Sequence, residues 1–272
     1  MRIVCLIQSH PALVYFVNRI HCVHPVSLVV VEQPEKARSS LAKIRRHGLR
    51  GSLAILRKRI RSLASRRRDA AIQTRYFGDA WKLLDETIPV LETPSINADA
   101  VRDRLLSEHP HVILGHGTSL VKAHIIDTAP LALNLHWGLS PYYRGSHCTA
   151  WALLLWDPYN IGVTIHKLTK QVDGGDVVAQ ARAMVHAGDS VHSINMQLTY
   201  LGANLVVKAL DRLKAGEELT LQKQDFSLGY LVRERQWTTH TQRQLDQICH
   251  DGAIEAMLEK PSRRIALPIV DL

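Results

Sequence analysis

Met1-Arg2-Ile3-Val4-Cys5-Leu6-Ile7 and, one helix later, Val26-Ser27-Leu28-Val29-Val30-Val31 are the two stretches that decide the fold class. Each is a short, nearly unbroken apolar run, the second rich in β-branched residues. Ser9-His10-Pro11 closes the first and Pro34 follows the second. Between them Ala12–His21 has the length and character of a helix. Strands that are apolar on both faces and joined through a helix belong to a parallel sheet covered on both sides. The alternation resumes with a strand at Ile88–Leu91 and a helix at Ala98–His109, for which Ser95 and Asn97 are capping candidates. A strand at Val112–Leu114, a helix around Lys122–Thr128 stopped by Pro130, and a strand at Ala132–Leu135 follow. The chain is therefore read as α/β, a Rossmann-like, doubly wound, mostly parallel sheet.

Further along, a helix is expected at His147–Leu155, strands at Gly162–Leu168 and Asp176–Arg182, and a long helix from Val191 to about Lys214. Asp189 and Ser190 stand where that helix needs caps, and Ile194, Leu198, Leu201, Leu205 and Val206 share one of its faces. The main domain is placed at residues 1–216. Residues 217–272 read as a small appendage, a hairpin between Leu219 and Val232 and then a helix over Gln242–Leu258.

With 272 residues, 46% of them hydrophobic, the chain can bury a sizeable core unaided. Its formal charge of +9 suggests nucleic acid until the distribution is read. Thirteen Lys and Arg and no Asp or Glu lie between Lys36 and Arg68, and removing them leaves −4 for the remainder. Leu53, Leu56, Ile60 and Leu63 recur there at helical spacing, so a basic helical insertion is expected over about 36–70, broken near Gly48 and Gly51. A solvated amphipathic helix is the ordinary reading of such a run. The functional ones are peripheral contact with an anionic membrane or with a diphosphate-bearing substrate. Four scattered cysteines without a Cys-x-x-Cys pair indicate neither a disulfide framework nor zinc. Apolar runs such as Ala150–Trp156 fall far short of the roughly 20 residues that span a bilayer. Because the first residues read as a strand and not a signal, the mature chain is expected to start there and to be cytoplasmic.

Chemistry concentrates in Leu133-Asn134-Leu135-His136-Trp137-Gly138-Leu139-Ser140-Pro141-Tyr142-Tyr143-Arg144-Gly145, then Gly162-Val163-Thr164-Ile165-His166, then Val172-Asp173-Gly174-Gly175-Asp176. Asn134 and His136, two apart at a strand end, point the same way and can donate to one oxygen. A carboxylate reaching the imidazole would complete an acyl-transfer site. Alone, a histidine at a strand end is more often structural. Here Asn-x-His, Leu-Ser-Pro-x-x-Arg-Gly, Gly-Val-Thr-Ile-His and an Asp seven residues later occur in order. Together they resemble the catalytic core of the folate-dependent formyltransferases, closely from about Ile113 to Gln180 and in outline elsewhere. That family includes glycinamide ribonucleotide formyltransferase, methionyl-tRNA formyltransferase and the sugar N-formyltransferases.

The resemblance implies that Asn134, His136 and Asp173 are catalytic, with Asp176 the nearby competitor for the last role. It implies 10-formyltetrahydrofolate as co-substrate, no metal, and a pterin site made by Gly117, Ser119, Leu120 and Val121 on one side and Thr169 and Val172 on the other. Tyr142, Tyr143, Arg144 and His147 are the acceptor-side candidates. Trp137-Gly138 departs from the family's usual small or proline residue followed by Ser, which puts the shape of the acceptor pocket in doubt. A tRNA acceptor is disfavoured, since about 55 residues after Gly216 are few for a nucleic-acid-binding barrel. The expected partner is a small amine, first a nucleotide-linked amino sugar of surface-polysaccharide synthesis and next glycinamide ribonucleotide or a modified amino acid. A homodimer is a further expectation.

Overall fold

The computed structural model describes residues 1–33, 67–250, 252–259 and 266–272. The expected basic insertion lies outside them up to residue 66, and residues 67–77 are helical. A seven-stranded sheet holds the molecule together, built from β1 (Ile3–Gln8), β2 (Val26–Glu32), β3 (Val90–Thr93), β4 (Val112–His116), β5 (Leu131–His136), β7 (Gly162–Lys167) and β8 (Val177–Arg182). Their spatial order is β3-β2-β1-β4-β5-β7-β8. The first five are mutually parallel, whereas β7 runs antiparallel to both β5 and β8. The doubly wound, mostly parallel expectation describes this sheet. The chain reverses its direction of travel across the sheet between β1 and β4, the place where ligands of open α/β sheets gather at the strand ends.

Two apolar layers cover the sheet. On one face α1 (Pro11–His21) and α5 (Val191–Lys214) pack on Ile3, Cys5, Leu114, Leu133, Leu135 and Val163. On the other, α2 (Asp99–Glu108) and α3 (Ala123–Ile126) meet Val4, Leu6, Leu28, Val30 and Ile113. Successive residues of β1 thus go to opposite cores, the physical content of an unbroken apolar run. Helix α5 starts as its sequence indicates: Ser190 Oγ accepts from Ser193 N, Ser193 Oγ accepts from Ser190 N, and Asp189 accepts from the Ser193 hydroxyl.

Three local expectations are corrected. Helix α2 begins at Asp99 behind Ala98 with no side-chain cap, because Asn97 spends both ends of its amide on residues 120–122. The expected hairpin between Leu219 and Val232 does not fold on itself. Gln222 bridges Val177 of the main sheet instead, and β9 (Tyr230–Val232) pairs in parallel with β6 (Tyr143–Gly145). The helix expected over Gln242–Leu258 is two, α6 (Thr239–His250) and α7 (Ala253–Glu259), separated at Gly252 with φ 66°. Helix α4 (Cys148–Leu154) lies between β6 and β7. Among the described residues no helix is long and apolar enough to cross a membrane.

Candidate active site

Strand β5 ends on Asn134 and His136, and the antiparallel partner of Asn134 in β7 is His166. The connection from β7 to β8 then turns back so that Asp173, at φ 46°, presents its carboxylate to both imidazoles. Its Oδ2 lies 3.4 Å from His136 Nδ1 and its Oδ1 lies 3.3 Å from His166 Nε2. The Gly145 N–H donates to Oδ2 at 2.8 Å. Asn134 Nδ2 stands 3.3 Å from His166 Nε2. Gly175 makes this return possible, since a Cβ there would collide with the Lys167 carbonyl. Asp176 serves the ladder by its backbone, its carbonyl accepting from Lys167 N at 2.9 Å.

The electrostatics follow from burial and pairing. Burial would raise the Asp173 carboxyl, yet the two imidazoles and the Gly145 N–H hold it well below the usual carboxylate range. Burial pulls the His136 imidazole below its ordinary value while Asp173 pushes it back up. Both of its ring nitrogens face oxygens, Asp173 Oδ2 and, at 3.1 Å, the Tyr143 carbonyl. Only the imidazolium satisfies both, because either neutral tautomer turns a lone pair toward an oxygen. At 3.4 Å the Nδ1 contact is longer than a strong charged hydrogen bond, so that N–H has capacity for another acceptor. Burial and pairing thus act on His136 in opposite directions, burial favouring the neutral ring and Asp173 the imidazolium.

A cavity of about 460 Å³ surrounds these groups. Asn134, His136, His166 and Asp173 line it, and so do Gly117, Ser119, Leu120, Val121, Thr169 and Val172. Leu120 and Val172 are among the exposed large apolar residues, which suits walls that cover a flat ring. His147, the N-terminal flank of α4, lines the cavity as well. Its ring stacks on Trp237 with centroids 4.4 Å apart, and its Nε2 lies 3.2 Å from a Glu234 carboxylate oxygen.

The other acceptor-side candidates stand elsewhere. Tyr143 is buried and donates its hydroxyl to Asp157 at 2.6 Å. Tyr142 is buried beside Gln224 and the 268–270 segment, against a second and smaller cavity. Arg144 is buried with its guanidinium carbon 4.2 Å from the Phe226 ring centroid. Hence of the four only His147 faces the main cavity, and the Tyr-Tyr-Arg-Gly loop braces the site from behind.

Some lining residues escaped the sequence reading. The Gly-Val-Thr-Ile-His motif gives His166 no role of its own, since only the β5–β7 pairing puts it beside Asn134. Cys148, whose Sγ lies 3.6 Å from His136 Nε2, and the bonded pair Thr149–Asn195 carry no sequence signal of their own. Gly138 explains half of the Trp137-Gly138 departure, for a Cβ at that position would run into His136 Nε2 and the Tyr143 carbonyl.

A doubly wound sheet whose strand ends bring an amide donor and a carboxylate-paired imidazole into one cavity is the framework of a group-transfer enzyme of the acyl type. The chain belongs to the formyl transferase family, whose model, described as Formyl transferase, matches residues 27–210, more than half of it. It is a one-carbon transferase, and formyl transfer is its reaction. Among similar solved structures is a sugar N-formyltransferase from a Shewanella species, 14% identical with TM-score 0.56, the match covering 90% of this chain and 87% of that one. An N-formyltransferase from Helicobacter canadensis in complex with folinic acid and dTDP-3-aminofucose is 13% identical with TM-score 0.56, covering 88% and 73%. Glycinamide ribonucleotide transformylase 1 from Symbiobacterium toebii is 17% identical with TM-score 0.53, covering 83% and 94%. At these identities the likeness is one of fold.

Proposed function

We propose that the chain transfers the formyl group of 10-formyltetrahydrofolate to the primary amine of a nucleotide-linked amino sugar. The observation that carries this reading is the Asp173 carboxylate shared by His136 and His166 beside Asn134, in one cavity with the Gly117–Val121 loop. The Helicobacter canadensis relative, solved with a folate and a nucleotide-linked amino sugar, supports both halves of it. In this reading residues 1–216 form the catalytic unit, and residues 217–272 form a smaller subdomain whose Glu234 and Trp237 steady His147.

The amine nitrogen attacks the formyl carbon, a C–N bond forms and the carbonyl oxygen takes the negative charge. Asn134 Nδ2 and the His136 Nδ1–H are the donors that meet this oxygen, each lowering the barrier by about 3 kcal/mol. Collapse of the tetrahedral centre breaks its bond to N10 of the folate. The proton shed by the amine passes by way of Asp173 or a water to N10, so a formamide and tetrahydrofolate leave with no net proton exchanged. While ionised, Asp173 favours the imidazolium over the neutral ring.

Following tetrahydrofolate release against nucleotide-linked amino sugars, glycinamide ribonucleotide, hydroxyornithine and methionyl-tRNA tests the reading. Turnover with an amino sugar is expected. Turnover with another amine alone would replace the acceptor, and failure to bind folinic acid would overturn the folate assignment itself.

A further inference from the structure

Glu32 closes strand β2 and is 4% exposed, yet among the described residues no cation pairs with it. Its charge is met by four neutral donors. Oε1 accepts from Ile96 N at 2.9 Å and from Ser119 Oγ at 2.7 Å, and Oε2 accepts from Ser119 N at 2.9 Å and from Gln8 Nε2 at 3.3 Å. Burying a carboxylate is costly even where neutral donors meet it, and an apolar residue at a sheet end would avoid that cost. What the carboxylate gains is a grip on a segment with no regular structure. Ser119 supplies two of the four donors, and Ser119 sits in the middle of the 117–121 cavity wall.

We propose that Glu32 is the positioning residue of this wall, fixing the shape of the pterin side of the cavity through Ser119 without touching the ligand. The inference rests on the folate reading given above. Both donor groups of Ser119 are committed to Glu32, so what Ser119 offers a folate is acceptor atoms and shape. Asn97 grips the next turn of the same loop, donating to the Leu120 carbonyl at 3.0 Å and accepting from Lys122 N at 2.7 Å. The wall is thus held at two points from the β2 and β3 strand ends, where the open loop alone would sample many conformations.

Substitution by glutamine keeps the volume but cannot keep the network. Whichever way the amide is turned, its NH2 meets the backbone N–H of Ile96 or of Ser119. Calorimetric titration of folinic acid into the wild type, Glu32→Gln, Ser119→Ala and the double variant reads the consequence. Glu32→Gln is expected to weaken binding by about tenfold. In the Ser119→Ala background the same change should weaken it by clearly less, since the path runs through Ser119. Val30→Ala, a core truncation in the same strand, is the control for lost stability and should bind as the wild type does. Unchanged affinity in Glu32→Gln, or equal losses in both backgrounds, overturns the inference. A wild type that does not bind folinic acid removes the folate reading first and this inference with it. Should Glu32→Gln fail to fold, Gln8→Ala deletes one donor from outside the wall; a two- to threefold loss, a rough scale for one weak bond, is expected, and unchanged affinity again overturns the inference.

Discussion

Asp173 occupies the left-handed region at φ 46°, a conformation that aspartate and asparagine tolerate better than most side chains. Asp173→Asn therefore keeps the turn and removes the charge that favours the His136 imidazolium. Turnover is expected to fall by at least about a thousandfold, with folinic acid affinity nearly intact in the same titration. Near-normal turnover would refute the role. His116 makes a different prediction at the same scale. Its Nδ1 lies 2.9 Å from the Leu135 carbonyl, and burial pulls the ring down to about 3. Between its ordinary value of 6.5 and about 3, the unfolded chain takes up a proton that the folded chain refuses. Stability contributed by the neutral ring is thus complete above 6.5 and drains away as pH falls through that window. Urea midpoints measured from pH 7 to pH 4 should decline less steeply in His116→Gln than in the wild type; parallel slopes would show that another group governs acid sensitivity.

At the scale of elements, the turn from β5 into β6 depends on Gly138, where a side chain would push on His136 itself. Gly138→Ala should cost about 1–3 kcal/mol of stability and lower turnover together, whereas an exposed glycine such as Gly188 would tolerate little more than backbone strain. Ser190→Ala, which opens the capping box of α5, should cost about 1 kcal/mol in denaturant titration and leave folinic acid binding alone. The contrast between these two turns shows where the sequence was legible. Ser190, Asp189 and the apolar face of α5 carry their whole meaning within one helix, and β1 and β2 announce a two-sided core by composition alone. Asn97 looked like a helix cap, because its type and place fit, and no local signal could show that residues 120–122 would compete for its amide. The site divides the same way. Asn134 and His136 share a strand and a side, but His166 joins them only through antiparallel pairing. Tyr142, Tyr143 and Arg144 follow a motif whose direction of facing is set by β9, which arrives from some 85 residues later.

The whole molecule is tied together at the edge of the sheet. Gln180 of β8 donates to the Ser140 carbonyl at 2.6 Å and accepts from Val270 N at 3.1 Å, while the Val270 carbonyl accepts from Gln180 N at 2.8 Å. One side chain thus joins the β5–β6 turn, the edge strand and the 266–272 segment. Gln180→Leu would leave the buried Ser140 carbonyl and the half-buried Val270 N–H unpaired, the first costing about 1–3 kcal/mol and the second less. Faster amide exchange at Val270 should appear along with the loss of stability, and unchanged exchange would show that the segment is held by its apolar contacts instead.

The antiparallel junction of β5 and β7 also sets an order of events in time. Asn134, His136, His166 and Asp173 all lie between residues 134 and 173, and β1, β2 and β4 carry none of them. Their strands β5 and β7 pair across about 30 residues, whereas Ile3 of β1 pairs with Val112 of β4 across 109, so the candidate centre can close before the full parallel sheet does. During refolding, folate affinity should therefore return last, when the β1–β4 pairing brings Glu32 to Ser119, and an intermediate arrested before that would hold the four side chains together beside an unfinished cavity wall.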